Sequence, residues 1–196
     1  GCAPSGASTG AFEALELLEA LGCELCFFSP LADAALPEGV SGLWLPGGYP
    51  ELHLEALSRN SAMLRAVKTA VEGGLPTIAE CGGFLYLHRQ VDGIPLAGVI
   101  PADAHRTDRL QRFGYVELTA AADNLLCPAG GSIRAHEFHY YDSTDCGAAF
   151  TARKASGAAE YPCIHASDTL YAGYPHLYLP ANRQFAEHFI RKAETY

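Results

Sequence analysis

Along the first half of the chain, segments with apolar residues at helical spacing alternate with short continuous apolar runs. Residues 9–22 carry Leu and Phe at helical spacing, with Thr9 as a candidate N-cap and a glycine as the C-terminal stop. The stretches 23–30 and 41–51 are short apolar runs that end in Ser-Pro and Pro-Gly-Gly, which predicts two buried strands. Residues 51–72 return to helical spacing and close at two glycines. The pattern therefore predicts helices and strands in alternation.

The alternation continues once more and then gives way to β-rich sequence. In "PTIAECGGFLYLHRQ", residues 76–80 predict a strand and residues 81–90 a helix. Three strand-to-helix units in succession predict an α/β fold with a mostly parallel central sheet flanked by helices. After Val91 come short β-rich runs separated by Gly, Asp and Pro, the last of which is "TLYAGYPHLYL". We expect these runs to form antiparallel additions in the C-terminal half, closed by a helix over 182–193.

Length and composition favour a single globular domain. The chain has 196 residues, of which 49% are hydrophobic and 18% charged. This composition suits one domain over 1–196, standing alone or as part of a longer enzyme, with only the Gly/Ser-rich residues 1–10 loose. No run of eighteen apolar residues and no secretory leader occurs in the sequence. We therefore expect a soluble, cytoplasmic protein with no membrane partner.

The net charge and the cysteines of the chain disfavour several classes of function. A net charge of −9 disfavours nucleic acid as a partner, since phosphate binding needs a basic face. Seven irregularly spaced cysteines in a chain of this size predict reduced thiols. Cys23 and Cys26 form a C-x-x-C motif, which is typical of redox or zinc chemistry, but they lie on a strand-like run without a second ligand pair. We interpret them as small buried hydrophobic residues and expect no metal site.

One further cysteine stands where α/β sheets place their ligands. Cys81 follows a predicted strand and starts a predicted helix, with Gly82 and Gly83 directly behind it. The pattern Ala-x-Cys-x-Gly is a thiol version of the nucleophile elbow, and a helix N-terminus is expected to lower the pKa of the thiol. The position predicts a nucleophile. The alternative is a buried structural cysteine beside a glycine turn.

A second glycine turn indicates where an oxyanion could be stabilised. "LWLPGGYPE" leaves another strand through Gly47 and Gly48, whose backbone N–H groups can point into the same crevice. Acyl transfer needs such donors, because the tetrahedral intermediate carries a negative oxygen. Our candidates for the oxyanion hole are the backbone N–H groups of Gly48 and Gly82.

A cysteine nucleophile needs a base, and the chain offers eight histidines. Four of them, the first two of which we expect at the surface, lie in helical or turn patterns with no reason to reach Cys81: His53, His88, His105 and His188. The other four lie in β-rich sequence: His136, His139, His165 and His176. His176 ends an aromatic run and precedes a helix, a position from which it can return to the crevice. The residues alone leave the choice between His139 and His176 open.

Five segments in order resemble one enzyme family: "FFSPLADAALP", "LWLPGGYPEL", "LPTIAECGGFLYL", "FGYVEL" and "RAHEFHYYDS". Together they resemble the C-terminal glutamine amidotransferase domain, a class I-type glutaminase, of the cobyrinic acid a,c-diamide synthase family. The motifs "PGGYPE" and "AECGG" are the most specific parts, and the resemblance runs from Leu15 to Phe189. It implies a flavodoxin-like, class I glutamine amidotransferase-like fold.

The resemblance also implies a reaction. Cys81 would attack the side-chain amide of glutamine, forming a glutamyl thioester and ammonia, and the histidine of "PHLYLPAN" would be the base, which is His176. Class I glutaminases generally have Glu two residues after this histidine, whereas Tyr178 stands here, so a Cys–His pair is implied. Four residues would form a supporting pocket: Gly47, Tyr49, Glu137 and His139.

The implied partners are glutamine and an ATP-dependent synthetase domain of the same polypeptide. That domain would bind ATP, Mg²⁺ and the corrinoid substrate, so that the present chain needs no cofactor of its own. No G-x-x-x-x-G-K-[ST] motif occurs in the sequence, and "GCAPSGASTG" stands where the family has an opening strand. We therefore expect a glutaminase domain from a larger synthase.

Two alternatives belong to other classes of protein. The first is a non-catalytic scaffold that keeps the fold without turnover. The second is another cysteine enzyme of the same superfamily, such as a peptidase or a glyoxalase-like protein. Release of glutamate from glutamine and trapping of a glutamyl group on Cys81 distinguish the three.

Overall fold

The computed structural model describes residues 9–154, 157 and 159–196, and within them five α-helices, thirteen strands and two 3-10 helices. The helices are α1 (Thr9–Ala20), α2 (Leu54–Arg59), α3 (Ser61–Glu72), α4 (Gly82–Leu87) and α5 (Arg183–Ala193). The strands are β1 (Leu43–Leu45), β2 (Thr77–Glu80), β3 (His88–Val91), β4 (Ile94–Pro95), β5 (Ile100–Arg106), β6 (Arg112–Ala120), β7 (Ser132–His139), β8 (Tyr141–Ser143), β9 (Phe150–Lys154), β10 (Glu160–Cys163), β11 (His165–Ala166), β12 (Leu170–Gly173) and β13 (His176–Leu177). The 3-10 helices are Pro50–Leu52 and Leu179–Ala181.

Three parallel strands form the centre of the sheet that carries the site. They lie in the order β1-β2-β12, and β11 adds an antiparallel edge beside β12. Leu45 pairs with Ala79, which pairs with Ala172 on its other side. The antiparallel role that the sequence predicts for "TLYAGYPHLYL" is therefore wrong for its first part, β12. A hydrophobic pattern carries no strand direction, which depends on how the chain returns to the edge of β2.

The parallel sheet separates two hydrophobic cores, as the alternation of side chains along a strand requires. Leu45, Ala79 and Ala172 face the first core, which α2, α3 and α4 cover. Ile78 and Tyr171 face the second core, which α1, α5 and the antiparallel strands cover. The predicted sheet with layers on both faces is confirmed.

The chain after α4 adds two further sheets, one of five strands and one of four. One is antiparallel throughout, in the order β10-β9-β6-β7-β13, and the other has the order β4-β3-β5-β8 with a single parallel pair, β3 and β5. Only Tyr174 and Pro175 separate β12 in the parallel sheet from β13 in the antiparallel sheet. The chain thus crosses between the two sheets immediately before His176.

The segment 23–30, which the sequence predicts as a buried strand, forms no strand. Cys23 and Leu25 pack partly against the second core, whereas Cys26 and Phe27 are exposed. Exposed and partly buried side chains alternate over 23–26, but none of the described strands pairs with the segment in a hydrogen-bond ladder. The interpretation of Cys26 as a buried residue is therefore wrong.

The helix predicted over 51–72 is divided at Asn60. The side chain of Asn60 accepts a hydrogen bond from the N–H of Met63 at 3.4 Å and so caps α3. Its Nδ2 donates to two carbonyl oxygens of the loop 30–33, each at 2.8 Å. Because these bonds satisfy groups at a helix end and anchor a neighbouring loop, they favour an interruption over one continuous helix.

The helix predicted over 81–90 is also shorter, because α4 ends at Leu87 and β3 follows at once. His88, which the sequence places at the surface, is completely buried, and hydrogen bonds join Nδ1 to the carbonyl oxygen of Phe84 and Nε2 to Ser143 Oγ, each at 2.8 Å. Burial lowers the pKa of His88 to about 4. The predicted surface position is therefore wrong, and His88 is a neutral core residue.

The N-terminal segment 1–10, predicted to be loose, lies outside the described residues up to position 8, and Thr9 and Gly10 belong to α1. None of the described helices is long and apolar enough to cross a membrane. All six cysteines in the described part of the chain are free thiols.

Candidate active site

Cys81 lies in a strained turn between β2 and α4. Its φ of 47° and ψ of −100° fall in a region that non-glycine residues rarely adopt. Its N–H donates to the carbonyl oxygen of Gly173 at 2.8 Å, and its own carbonyl oxygen accepts from the N–H of Leu85 at 2.9 Å. These bonds place the sulfur at the carboxyl end of the parallel sheet, in the geometry of a nucleophile elbow.

The two glycines after Cys81 allow backbone segments to touch. A Cβ on Gly83 would lie 2.1 Å from the carbonyl oxygen of Leu45, and a Cβ on Gly82 would lie 2.7 Å from both N and O of Gly48. No side chain fits at such distances. The elbow therefore packs directly on β1 and on the glycine turn that follows β1.

The same glycine turn contacts His176. A Cβ on Gly47 would lie 2.1 Å from Cε1 of His176, so the imidazole rests on the bare Cα of this glycine. His176 is the first residue of β13 and pairs with His136 of β7. The candidate base thus comes from the antiparallel sheet, and the glycine turn connects it with the elbow.

Cys81 and His176 line one cavity of about 1000 Å³. This volume is at the upper end of the range for small-molecule sites, roughly 300–1,000 Å³. In the described part of the chain no hydrogen bond joins the thiol to the imidazole. Such pairs are often loose in unliganded sites and tighten when substrate binds. Other residues on the wall are Trp44, Gly47, Gly48, Tyr49, Glu80, Tyr115, Arg134, His136, Phe138, Leu177 and Tyr178.

The surroundings of Cys81 raise the pKa of its thiol. Burial raises this pKa to about 12, and the carboxyls of Glu51, Glu80 and Glu137 act in the same direction, while the N–H of Gly82 opposes them. The lower pKa that the sequence predicts from the helix N-terminus is therefore wrong, because α4 has only six residues and burial outweighs its effect. At rest the group is a thiol, so its attack requires a base.

His176 is in the form that a base requires. Burial lowers its pKa to about 4, and the nearby His136 acts in the same direction. The imidazole is therefore neutral around pH 7 and has a lone pair for a proton. Cys81 and His176 together form a neutral thiol and imidazole pair.

Glu80, directly before the nucleophile, is a buried acid with two donors. Its side chain is only 4% exposed. Oε1 accepts from the N–H of Leu177 at 2.8 Å, and Oε2 accepts from Nε1 of Trp44 at 3.2 Å. Burial raises the pKa of Glu80 to about 7, although both hydrogen bonds lower it. This carboxyl links the strand that precedes Cys81 to the strand that carries His176.

The structure brings the predicted glycine turn, but not every predicted pocket residue, to the cavity. Gly47, Gly48 and Tyr49 lie on its wall. Gly82 is buried, and its N–H is directed at the thiol of Cys81. The assignment of the Gly48 and Gly82 N–H groups to an oxyanion hole stays a prediction.

Glu137 and His139 lie behind the wall instead of on it. Glu137 accepts a hydrogen bond from the hydroxyl of Tyr161. The ring of His139 stacks on Tyr174 with centroids 3.8 Å apart and an interplanar angle of 5°. Their supporting role stays a prediction, and from these positions it would act through the packing of β7.

Sequence reasoning missed two kinds of residue on the cavity wall. Glu80 had a detectable signal, because it is an acid in an otherwise apolar strand and directly precedes the cysteine. Two aromatic residues on the wall had none, because they come from strands whose pairing is not local: Tyr115 and Phe138.

Comparisons with known proteins agree with the family that the sequence resembles. Residues 4–184 match the model of the CobB/CobQ-like glutamine amidotransferase domain. The cobyrinate a,c-diamide synthase of Caldanaerobacter subterraneus subsp. tengcongensis is 36% identical over 94% of this chain and 42% of its own length. The hydrogenobyrinate a,c-diamide synthase of Thermobifida fusca is 37% identical over 93% of this chain and 40% of its own length. The chain therefore spans less than half of these relatives.

Solved structures confirm the fold class. A structure described as a glutamine amidotransferase matches with a TM-score of 0.66 and 21% identity, over 93% of this chain and 94% of the other. PurLQS from Thermotoga maritima matches with a TM-score of 0.64 and 17% identity, over 97% and 94%. At these identities the likeness concerns the fold alone, which is the α/β fold of glutamine amidotransferases.

Proposed function

Because the chain belongs to the CobB/CobQ-like glutamine amidotransferase family, we propose that it hydrolyses glutamine and supplies the ammonia for amidation of corrinoid carboxylates. One observation carries this proposal: a cysteine in an elbow at the end of a parallel strand shares a cavity with a neutral histidine. The glycine turn that contacts both residues supports it.

The reaction begins with transfer of the Cys81 thiol proton to the imidazole of His176, while the sulfur attacks the amide carbon of glutamine. The imidazolium then returns this proton to the amide nitrogen, and the C–N bond breaks. Ammonia leaves, and a glutamyl thioester remains on Cys81. Because the pKa of the free thiol is about 12, proton transfer and attack are expected to occur together.

Hydrolysis of the thioester completes the cycle. His176 accepts a proton from water as the water oxygen attacks the thioester carbon. The C–S bond breaks, the sulfur recovers a proton from the imidazolium, and glutamate leaves. The neutral pair is then restored.

Backbone N–H groups are our candidates for the oxyanion hole in both steps. The N–H of Gly82 already faces the sulfur, and Gly48 lies on the cavity wall beside Gly82. A donor aimed at the developing oxyanion contributes about 3 kcal/mol to such a reaction. The close packing of these two glycines keeps their backbones side by side.

The relatives are longer than this chain, and this difference in length is our reason for proposing a partner domain. We propose that an ATP-dependent synthetase domain of the same polypeptide, which would bind ATP, Mg²⁺ and a corrinoid acid, receives the ammonia. An exposed aromatic strip on β6, on β7 and at the residue after β7 adjoins the cavity and offers a surface for it: Phe113, Tyr115, Phe138 and Tyr140 are 59%, 73%, 45% and 44% exposed. Clustered aromatic residues of this kind are typical of interface centres.

A scaffold without turnover is the second candidate, and one observation favours it. The thiol has a raised pKa and, among the described residues, no hydrogen bond to His176. In a scaffold these features would persist when glutamine is present. In the enzyme, substrate would draw the two residues together.

Incubation of the purified chain with glutamine tests the proposal. We expect glutamate and ammonia in equal amounts, and neither from Cys81→Ala. Rapid acid quenching followed by mass spectrometry should find a glutamyl group on Cys81, which a peptidase or a glyoxalase-like enzyme would not form from glutamine. A wild-type chain that releases no more glutamate than Cys81→Ala, even when the synthetase domain is added, would favour the scaffold.

A further inference from the structure

The buried carboxyl of Glu80 forms hydrogen bonds to two parts of the structure that surround His176. Oε1 accepts from the N–H of Leu177 at 2.8 Å, the residue directly after His176. Oε2 accepts from Nε1 of Trp44 at 3.2 Å, and Trp44 lies on β1, which leads into the turn on which the imidazole rests. One carboxyl group therefore fixes the backbone that carries the ring and the strand that supports it.

The local structure around His176 depends on such a contact. β13 has only two residues, and its pairs within the described sheet are two with β7, at His136 and Ala135. The N–H of Leu177 donates to Glu80 across 97 positions of sequence. Glu80 thus gives this short strand a bond to the parallel sheet, which the ladder with β7 does not provide.

Glu80 is also coupled to the nucleophile through the backbone. It is the last residue of β2, it pairs with Gly173, and the N–H of the next residue, Cys81, donates to the carbonyl oxygen of Gly173 at 2.8 Å. A displacement of Leu177 relative to Glu80 is therefore a displacement of the base relative to the sulfur. Misplacement of about 1 Å is enough to reduce an enzymatic rate about a hundredfold.

We propose that Glu80 is the positioning residue that sets the place of His176 opposite Cys81, through its simultaneous bonds to Leu177 and Trp44. This inference rests on the proposed function for its kinetic consequence, but its structural part stands on the contacts alone. The side-chain hydrogen bonds of Glu80 within the described residues go to Trp44 and Leu177, so its effect on His176 passes through the main chain of β13.

The test uses Glu80→Gln, in which one oxygen is replaced by an NH₂ group that cannot accept a hydrogen bond. We expect kcat for glutamine hydrolysis to fall about a hundredfold with KM within about threefold. NMR should show loss of exchange protection at the Leu177 amide and a changed titration of His176. Glu80→Asp, which is one methylene shorter and cannot reach both donors, should not restore either property.

Tyr171→Phe is the matched control, because Tyr171 is a completely buried residue on the same face of the sheet whose hydroxyl has no partner among the described residues. It should leave kcat, the Leu177 amide and the titration of His176 unchanged. Wild-type kcat in Glu80→Gln would overturn the proposal. An equal loss of kcat in Tyr171→Phe would also overturn it, because the effect would then be general to this part of the core.

Failure of this inference and failure of the proposed function would give different experimental results. If the wild-type chain releases no more glutamate than Cys81→Ala, even with the synthetase domain added, the proposed function fails, while the NMR readouts still decide the role of Glu80. An unchanged Leu177 amide and His176 titration in Glu80→Gln would then refute the positioning role. If Glu80→Gln does not fold, Trp44→Phe removes only the donor to Oε2 and should cause a smaller change of the same kind, and no change would refute the role.

Discussion

The two catalytic candidates come from regions that are built in opposite ways. Around Cys81 in the parallel sheet, backbone packs on backbone, and Gly82 and Gly83 leave no room for a side chain. On the antiparallel side of the cavity, where His176 lies, β6 and β7 contribute large side chains, such as Tyr115 with its ring 5.1 Å from His136. Backbone contacts fix one position, whereas exposed side chains can adjust to a ligand or a partner. The difference suggests a rigid nucleophile and an adaptable surface around the base.

The largest effect should follow from a side chain on the rigid region. Gly83→Ala would place a Cβ 2.1 Å from the carbonyl oxygen of Leu45, so β1 and the elbow must separate. We expect a loss of at least about 3 kcal/mol in the free energy of unfolding, together with loss of glutamine hydrolysis. Urea denaturation measures the first quantity. Gly48→Ala is the control, because its Cβ would meet no atom within 4 Å, and its stability should change by less than about 0.5 kcal/mol.

Equal stabilities of Gly83→Ala and Gly48→Ala would contradict the conclusion that the elbow is rigid. The elbow would then be as adaptable as the aromatic side of the cavity.

The next effect in size is the pH dependence of stability that comes from Glu80, the buried acid between the two regions. The pKa of Glu80 is about 7 in the folded chain and near 4.5 when unfolded, so the folded state binds the proton more tightly between these pH values. This contribution to stability is therefore fully present at low pH and is lost as pH rises from about 4.5 to 7. The loss amounts to about 3 kcal/mol.

Denaturation of wild-type chain and Glu80→Gln at several pH values measures this contribution. We expect the difference in unfolding free energy to shift by about 3 kcal/mol in favour of the variant between pH 4.5 and pH 8. Burial lowers the pKa of His88 and His139, and these two histidines titrate in both proteins and cancel in the difference. A difference that does not vary with pH would show that Glu80 has an ordinary pKa.

A smaller effect concerns how fast the cysteines react with a general alkylating reagent and with an analogue of glutamine. The pKa of Cys81 is about 12, whereas Cys26 is exposed, so iodoacetamide near pH 7.5 should modify Cys26 at least about a hundredfold faster. A chloroketone analogue of glutamine should reverse this order, because binding brings its electrophilic carbon to Cys81. Peptide mapping by mass spectrometry measures both rates. Faster modification of Cys23, Cys127 or Cys163 by the analogue would contradict the assignment of the nucleophile.

The smallest effect on the chain itself should follow from a change in the aromatic strip. Phe113 is 59% exposed and does not belong to the cavity wall, so Phe113→Ser should alter the stability by less than about 0.5 kcal/mol and leave glutamine hydrolysis unchanged. In the longer synthase that we propose, the same change should reduce amide formation per glutamine hydrolysed. Free ammonia should restore amide formation. An unchanged ratio would mean that the synthetase domain docks elsewhere.

The elements that could be predicted from the sequence are those whose causes lie within a few residues. The strand Thr77–Glu80, the turn at Cys81 and the helix ends at Gly73 and Asn182 depend on local patterns of apolar residues, glycines and caps. The nucleophile elbow belongs to this group, because its strained residue and its glycines are adjacent in the chain. The choice of His176 over His139, by contrast, came from a family resemblance, and its catalytic role stays a prediction.

Only the tertiary structure decided how distant segments meet. It joined β12 to the parallel sheet, left 23–30 without a partner strand and buried His88, although each pattern was compatible with another arrangement. It also raised the pKa of Cys81, because burial depends on what the fold packs around the thiol. The bond between Glu80 and Leu177 spans 97 positions. Apolar spacing and turn residues specify local conformation, whereas strand direction, burial and contacts at such separations depend on the packing of the whole chain.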